Sequence, residues 1–480
     1  MYKLEFTLKQ HTPIIHFQHD QDGATLRASE VKPKLDRFIL IKLGEQVLNN
    51  SDATIEERYQ KGIAKAKDKK WLVGSGDHPA LNYKIKIEDV VLKNRDIINQ
   101  IELIERPKQD RSGFVIKKGN GEIDYFQYPA FFGNMGDEGN KTKKFSIVDQ
   151  VNLSIISNSF KPDEVISNGI MEEFLAKTNF GMRQSKGFGS FYILGRKPSL
   201  KYQFTIDCSK PEIDSFKLNR DDREKFQPYK DAEYYKIKTL FTIISMFYST
   251  LRSGINTSNF GGIYFKSLMF MYAKQLTPPQ QWDKRTLREE FYAEHPTYDN
   301  VKERRWNDTN GTVHYNSGEK SNLLFRDLLG LSSDQDWMNY GTEKIDREGG
   351  PVTDRNGNKV YGSDTLSKKS INGEIDRFKS PIVFKPVRRE NTDVFDVYIA
   401  TEEIPSAYFN QQFEITSKKW RGKHSIMKIP SPQMFSIESY LEFCFKKVFP
   451  DDSTLKKHIS NDDKKETKLL LKIFSELRNC

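Results

Sequence analysis

Tyr2, Leu4, Phe6 and Leu8 alternate with Lys3, Glu5, Thr7 and Lys9, a period of two that predicts a strand with one face on a core. Pro13 limits its continuation as a central strand. After a turn at Gly23 the run SEVKPKLDRFILIKLG shifts to helical spacing, with Ser29 as the expected N-cap, Pro33 in the first turn and Gly44 as the expected stop. Residues 70 to 160 read as strands and loops; Asn120-Gly121 is expected to turn a hairpin, and VNLSIIS to form a short strand. Ile166, Ile170, Met171, Phe174 and Leu175 then mark a helix that leads into GMRQSKGFGSFYILG, whose end predicts another strand. Strand, helix, strands, helix, strand is the order of a ferredoxin-like or RRM-like unit.

The pattern restarts after Gly195 to Pro198, because Tyr202, Phe204, Ile206 and Cys208 alternate as the first residues do. A domain boundary is expected there, giving domains at 1–197 and 198–480. The second half offers one helix with Ile237, Leu240, Phe241, Ile244, Phe247 and Leu251 on one face, closed by Gly254, and another from about Gly262 to Gln275. Residues 296–375 turn polar and glycine-rich, the mark of long loops or a partly ordered insertion. Beyond them KSPIVFKPVRR and DVFDVYIA read as paired strands, while SIESYLEFCFKKVF and KKETKLLLKIFSEL read as helices. The expected fold class is therefore α+β, two tandem ferredoxin-like domains with insertions.

Length agrees, since 480 residues exceed what one core supports. Lys and Arg total 76 against 66 Asp and Glu, a formal charge of +10, so a polyanionic partner is compatible but the placement of the cations must decide. Cys208, Cys444 and Cys480 are far apart and show no CxxC pairing, which points to neither a metal site nor a disulfide framework and fits a reducing cytoplasm. The N-terminus lacks the apolar run of a signal peptide, and the most apolar stretches are too short and interrupted to span a bilayer. No cofactor is indicated.

The segment from Asn179 to Ser190, NFGMRQSKGFGS, joins a helix to a strand and combines Gly181, Gly187 and Gly189 with Arg183 and Lys186. Glycines allow positive φ and close approach of backbone amides to a phosphate, and the two cations can neutralise a phosphodiester. A tight structural connection with solvated cations explains the same residues. The string is no Walker A loop, which needs GK[ST] at a helix start, and the helix precedes the glycines rather than following them as in a Rossmann turn.

GMRQSKGFGS resembles the glycine-rich loop of the RAMP superfamily, particularly the GxRxRRGFGS-like form of the first Cmr subunit family of type III-B CRISPR complexes. Thr12-Pro13, then Leu26-Arg27, Val31-Lys32, Leu35 and Arg37-Phe38, is similar to that family's TP followed by LRPPSIKGALRFWWR. Pro33 stands where the family tends to have glycine, Asp36 is an extra residue, and the WWR ending is absent. Ser380-Pro381 before a strand is a third similarity. The resemblance implies two ferredoxin-like domains, no metal, and a non-catalytic subunit that binds the 3′ side of the guide RNA, or the target RNA, beside other RAMP subunits at one end of the filament.

Arg27, Lys32, Lys34 and Arg37 lie about the first turn of the first helix, where the macrodipole favours an anion, and form the second candidate RNA contact beside the loop. Tyr125, Phe126 and Tyr128, followed by Phe131 and Phe132, are candidates for stacking on unpaired bases, with a satellite hydrophobic cluster or a subunit contact as the alternative. His11, His16 and His19 raise the rival expectation of a metal-independent ribonuclease that processes guide precursors, since RAMP nucleases can use a histidine as general base. Their spacing is not that of a helical zinc pair.

Overall fold

The computed structural model describes residues 1–15, 26–48, 53–74, 79–89, 98–102, 115–117, 119, 121, 144–209, 233–256, 263–298, 321–346, 349–353, 357–371, 375, 377–460 and 463–480. The chain forms two compact units that are discontinuous in sequence: residues 1–245, 383–400 and 468–480 in the first, 246–382 and 401–467 in the second.

The first unit begins with strand β1 (Tyr2–Gln10) and helices α1 (Ala28–Leu48) and α2 (Ile55–Asp68). Short strands β2 (Leu72–Val73) and β3 (Ala80–Leu81) precede β4 (Lys84–Asp89), β5 (Ile98–Glu102), β6 (Lys144–Val148) and β7 (Gln150–Ser157). One turn of helix, α3 (Pro162–Val165), then α4 (Asn168–Lys177), lead to β8 (Phe191–Ile193), β9 (Tyr202–Asp207) and α5 (Glu233–Arg252), inside which the division between units falls. The main sheet has the order β4-β7-β1-β8, antiparallel throughout, so β1 is a central strand. Its alternation does what the pattern requires: Phe6 and Leu8 are buried against Val31, Leu35 and Ile39 of α1 and Met171, Phe174 and Leu175 of α4.

Helix α1 starts at Ala28, one residue before the expected cap Ser29, and holds Pro33 inside rather than in its first turn. Gly44 does not stop it. A Cβ at Gly44 would lie 1.7 Å from the Arg58 carbonyl oxygen, and one at Gly62 1.7 Å from that of Leu40. The two glycines are thus the holes through which α1 and α2 touch backbone to backbone. Helix α2, absent from the expected elements, carries a capping box in plain sight: Thr54 accepts from the Glu57 amide at 3.2 Å, and Glu57 accepts from the Thr54 amide at 2.8 Å.

The second unit opens with β10 (Ile255–Asn256), β11 (Tyr264–Phe265), α6 (Leu268–Gln275) and α7 (Asp283–Tyr292). The helix expected from about Gly262 is therefore shorter, because Tyr264 and Phe265 pair as a strand and Ser267 caps α6, its side chain accepting from Phe270. The polar stretch 296–375 is not all loop: Leu324, Phe325, Leu328 and Leu329 are fully buried, and β12 (Asp334–Trp337) and β13 (Asp364–Ser370) are sheet strands. The chain returns to the first unit with β14 (Ile382–Arg388) and β15 (Val394–Thr401), ordered β14-β15-β9, the paired strands that their apolar runs predict. It then completes the second unit with β16 (Gln412–Ser417), β17 (His424–Lys428), α8 (Ile437–Glu442), α9 (Asp452–Lys456) and β18 (Ile459–Ser460), and closes with α10 (Lys465–Asn479). The sheets of the second unit are β12-β13-β16-β17 and β10-β11-β18.

A buried ionic cluster organises the second unit. Asp283 accepts from the Arg326 Nε at 2.8 Å, while Asp327 pairs with Arg252 at 3.2 Å and with Lys368. Burial alone would push the Asp327 carboxyl up, but Lys368, Arg252 and Arg326 outweigh it and hold it below the usual carboxylate range. Removing one member would strand the others without water, which is far costlier than the cluster's net contribution.

Gly62→Ala should force α2 off α1 and lower stability by about 1–3 kcal/mol, the usual cost of overpacking. A urea midpoint equal to that of the unsubstituted protein would show that the helices do not meet at these glycines.

Candidate nucleic-acid interface

Gln10 at the end of β1 and the residues that follow it, His11, Thr12, Pro13, Ile14 and Ile15, are all buried. The glycine-rich segment lies along it. The His11 amide donates to the Ser190 carbonyl at 2.8 Å, Gly189 donates to Pro13 at 2.7 Å, and Met182 donates to Ile15 at 2.7 Å. The Thr12 hydroxyl donates to the Gly187 carbonyl at 2.6 Å and accepts from the Ser190 amide at 2.9 Å. Gly181 and Gly189 have φ of +77° and +64°, and a Cβ would lie 2.5 Å from the Ile15 oxygen at the first and 1.9 Å from the Phe180 oxygen at the second. These glycines are explained by backbone approaching backbone. Phe188 fixes the tip, stacking on Phe241 with centroids 3.7 Å apart.

The cations sit in different surroundings. Arg183 adopts a left-handed φ of +54° and heads the 3-10 turn Gln184–Lys186, so the loop's two basic side chains flank one turn. Partial burial pushes the Arg183 guanidinium below its usual value, which leaves it charged. Lys34 lies beside the loop: it donates to Glu30 at 2.9 Å and to the Asn179 carbonyl at 3.2 Å, and the same Glu30 oxygen accepts from the Gly181 amide at 2.6 Å. Arg27 opens α1, its carbonyl accepting from Glu30 and Val31. Lys32 is engaged elsewhere, with Asp36 at 2.6 Å and the Leu81 carbonyl at 2.9 Å, and Arg37 is exposed over the Tyr59 ring. The four helical cations are thus not one cluster, and it is Lys34 that direct hydrogen bonds tie to the loop. Tyr125, Phe126, Tyr128, Phe131, Phe132, His16, His19 and Asn120 fall outside the described residues.

Strand β14 supplies a third side of the site, although its periodicity alone reads as a plain strand. Lys385 is fully buried and donates to the carbonyls of Thr178 at 2.9 Å and Phe191 at 2.8 Å; burial pushes its amine well below the usual lysine value. Asn179 donates to Phe384 at 2.8 Å and Gln184 at 2.7 Å, and the Ser190 hydroxyl donates to Pro386 at 2.7 Å. The signal was a single lysine and a proline within IVFKPV, an otherwise apolar run.

His11 accepts at Nδ1 from the Arg388 amide at 3.1 Å, and burial, with Lys385, Lys9 and Arg388 adding repulsion, lowers its pKa to about 3. A neutral imidazole held this way has a lone pair already committed and a basicity far from the range a general base needs. Among the described residues no group of three or more His, Cys, Asp or Glu side chains could hold a metal ion, and no helix is long and apolar enough to cross a membrane.

Thr12→Val should leave the Gly187 carbonyl and Ser190 amide unpartnered and cost about 1–3 kcal/mol, with Thr12→Ser recovering most of it in thermal melts; equal melts for Val and Ser would remove the hydroxyl from the account. Because His11 is neutral when folded and titrates near 6.5 when unfolded, its stabilisation is complete above pH 6.5 and is lost as pH falls towards 3. Each pH unit in that window should cost about 1.4 kcal/mol, and His11→Asn should flatten the acid limb of a stability profile; a superimposable limb would refute the burial of neutral His11.

Two solved structures resemble parts of the chain. Cmr1 from Pyrococcus furiosus in its apo form is 13% identical, with a TM-score of 0.23, over 42% of this chain and 55% of that one, so this chain spans about half the length of that relative. A type III-B Cmr-beta bound to cognate target RNA gives 9% identity and a TM-score of 0.25 over 83% of this chain and 96% of that one. No curated protein matches. The Cmr1 N-terminal domain model matches residues 1–255 and the Cmr1 C-terminal domain model residues 264–471, and on these matches the chain belongs to the Cmr1 family.

Proposed function

We propose that this Cmr1-family chain is a non-catalytic RNA-binding subunit of a type III-B CRISPR effector complex in the cytoplasm, holding the backbone of the guide RNA 3′ side or of the target RNA at one end of the filament. Family membership supports the assembly, and one observation carries the site: Arg183 and Lys186 flank a single 3-10 turn on a loop whose backbone is pinned on β1 and β14. A rigid mount presents charge at little entropic cost on binding. The amides of Gly181, Met182, Gly187 and Gly189 already donate to protein oxygens, so contact with phosphate falls to side chains: Arg183 first, Arg27 and Lys34 beside it, and Lys186 once its ammonium, buried in the unbound chain, turns outward, with Lys32 and Arg37 as more distant contributors.

Two ferredoxin-like domains, 1–197 and 198–480, belong to the same proposal. The order β4-β7-β1-β8 supports the first, with α1 and α4 as its two crossover helices. For the second, the order β14-β15-β9, with α5 following β9 and α10 following β15, repeats three of the four strand positions.

Single-stranded RNA binding should weaken steeply with salt, and Arg183→Ala with Lys186→Ala should make the slope of log affinity against log salt shallower by about 1.4, about 0.7 for each phosphate no longer neutralised. An unchanged slope removes the loop from the interface. Repeat RNA incubated with the protein in EDTA should stay intact; a discrete product would replace the binding subunit by a processing ribonuclease.

A further inference from the structure

In the second unit the antiparallel strands β16 and β17 are joined by the turn Lys418-Lys-Trp-Arg-Gly-Lys423, in which four of six residues are Lys or Arg. No Asp or Glu occurs between Glu414 and Glu438. The chain as a whole carries 66 acidic residues against 76 basic ones, so this separation of charge is a local feature and not a consequence of composition.

The turn has a rigid base. Asp364, wholly buried on β13, accepts from the Tyr292 hydroxyl at 2.8 Å, the Ser417 hydroxyl at 2.6 Å and the Lys419 amide at 3.0 Å. The Ser417 hydroxyl accepts in turn from the amides of Lys419 at 3.2 Å and Trp420 at 2.8 Å. The Trp420 indole N–H donates to the Tyr340 carbonyl at 2.9 Å, and Gly422, with φ of +88°, reverses the chain. The backbone is thereby held from within, and Lys418, Lys419 and Arg421 are left exposed.

Little competes for these cations. Lys418 meets Asp334 at 3.3 Å with both side chains exposed, and Lys423 reaches Glu294, itself 91% exposed, only at 4.0 Å. Such solvated pairs contribute little and exchange readily for another anion. Among the described residues, the side chains of Lys419, Arg421 and His424 form no hydrogen bond or ion pair, unlike Lys32 of α1 or the buried cations Lys368 and Arg326.

The surroundings select among polyanions. A protein partner is gripped through desolvated aromatic or aliphatic anchors, and a lipid surface through apolar side chains that enter it. The turn offers neither: Trp420 is half-buried with its donor engaged, and no large apolar residue from 418 to 424 is exposed. Charge alone on a stiff mount is how a phosphodiester backbone is held without regard to sequence.

We propose that the β16–β17 turn is a further contact for the RNA backbone, with Lys419 and Arg421 neutralising phosphates and Lys418 and Lys423 exchanging their carboxylate partners for them. This contact rests on the RNA-binding reading of the chain, but not on the glycine-rich loop, which lies in the other unit.

The full chain is titrated with a short labelled single-stranded RNA by fluorescence anisotropy over a series of salt concentrations. Lys419→Gln with Arg421→Gln should make the slope of log affinity against log salt shallower by about 1.4, about 0.7 for each phosphate released. The same change is expected in the chain that also carries Arg183→Ala and Lys186→Ala. Lys419→Arg with Arg421→Lys keeps both charges and should keep the slope. Lys456→Gln with Lys457→Gln, an exposed pair at the end of α9, removes equal charge elsewhere on the second unit and should leave the slope unchanged. Thermal melts should be unchanged for the Lys419 and Arg421 variants, whose side chains have no partner to lose. The proposal is overturned by a slope indifferent to Lys419 and Arg421, or by an equal change from the Lys456 and Lys457 pair. Polyglutamate that displaces labelled RNA as well as unlabelled RNA of equal charge would overturn it too, making the partner an acidic protein. A slope that responds to the loop variants and not to the turn variants removes this contact alone, whereas absence of RNA binding by the unsubstituted chain removes the RNA-binding reading and this contact with it.

Discussion

The Thr12 hydroxyl, donating to the Gly187 carbonyl and accepting from the Ser190 amide, is the contact on which the first unit turns. Thr12 is wholly buried at the end of a central strand, so both polar groups it satisfies would otherwise lie in an apolar interior. By fixing the loop there it fixes where β8 starts and therefore the register of β8 on β1. Pro13 next to it has no amide to place, and its carbonyl takes the Gly189 amide instead. A Thr-Pro pair and three glycines far along the chain are thus two halves of one joint.

The molecule buries cationic groups in two ways. In the first unit Lys385 and His11 are buried where burial favours their neutral forms, and each bonds the backbone. In the second, Arg326 and Lys368 meet Asp283 and Asp327 as ions, with the half-buried Arg252 as a further partner of Asp327. Neither group of cations is available to a polyanion, and Lys32 is likewise spent on Asp36 and Leu81. The formal charge of +10 therefore says little about where RNA would lie; the cations on the loop and beside it say more.

Legibility in the sequence followed the range of the interaction. Strands β1, β7 and β9 and helices α5 and α10 declare themselves through local periodicity, and the glycine-rich loop through composition. Gly44 read as a helix stop because its reason, the Arg58 backbone, lies on another helix. The capping box at Thr54 was local and could have been found. Strands β12 and β13 were hidden because they pair with each other across a long intervening segment and β13 pairs with β16 later in the chain, and a polar strand face looks like loop. At the site, Arg183 and Lys186 were legible as a pair, whereas the part played by β14 depends on Lys385 meeting Thr178 and Phe191, a contact across about half the chain.

The internal use of the loop's amides constrains the kind of recognition open to it. A nest of free amides would grip one phosphate tightly at a fixed place, as phosphate-binding loops do. Long basic side chains on a rigid turn instead follow a backbone whose conformation varies, and they read charge without reading bases. That suits a subunit whose RNA specificity, on the proposed function, comes from guide–target pairing: contacts must tolerate any sequence and still fix the strand's path. The stiffness that Thr12, Gly189 and Lys385 impose then acts in binding as well as folding, because the turn bearing Arg183 and Lys186 need not be ordered again when RNA arrives.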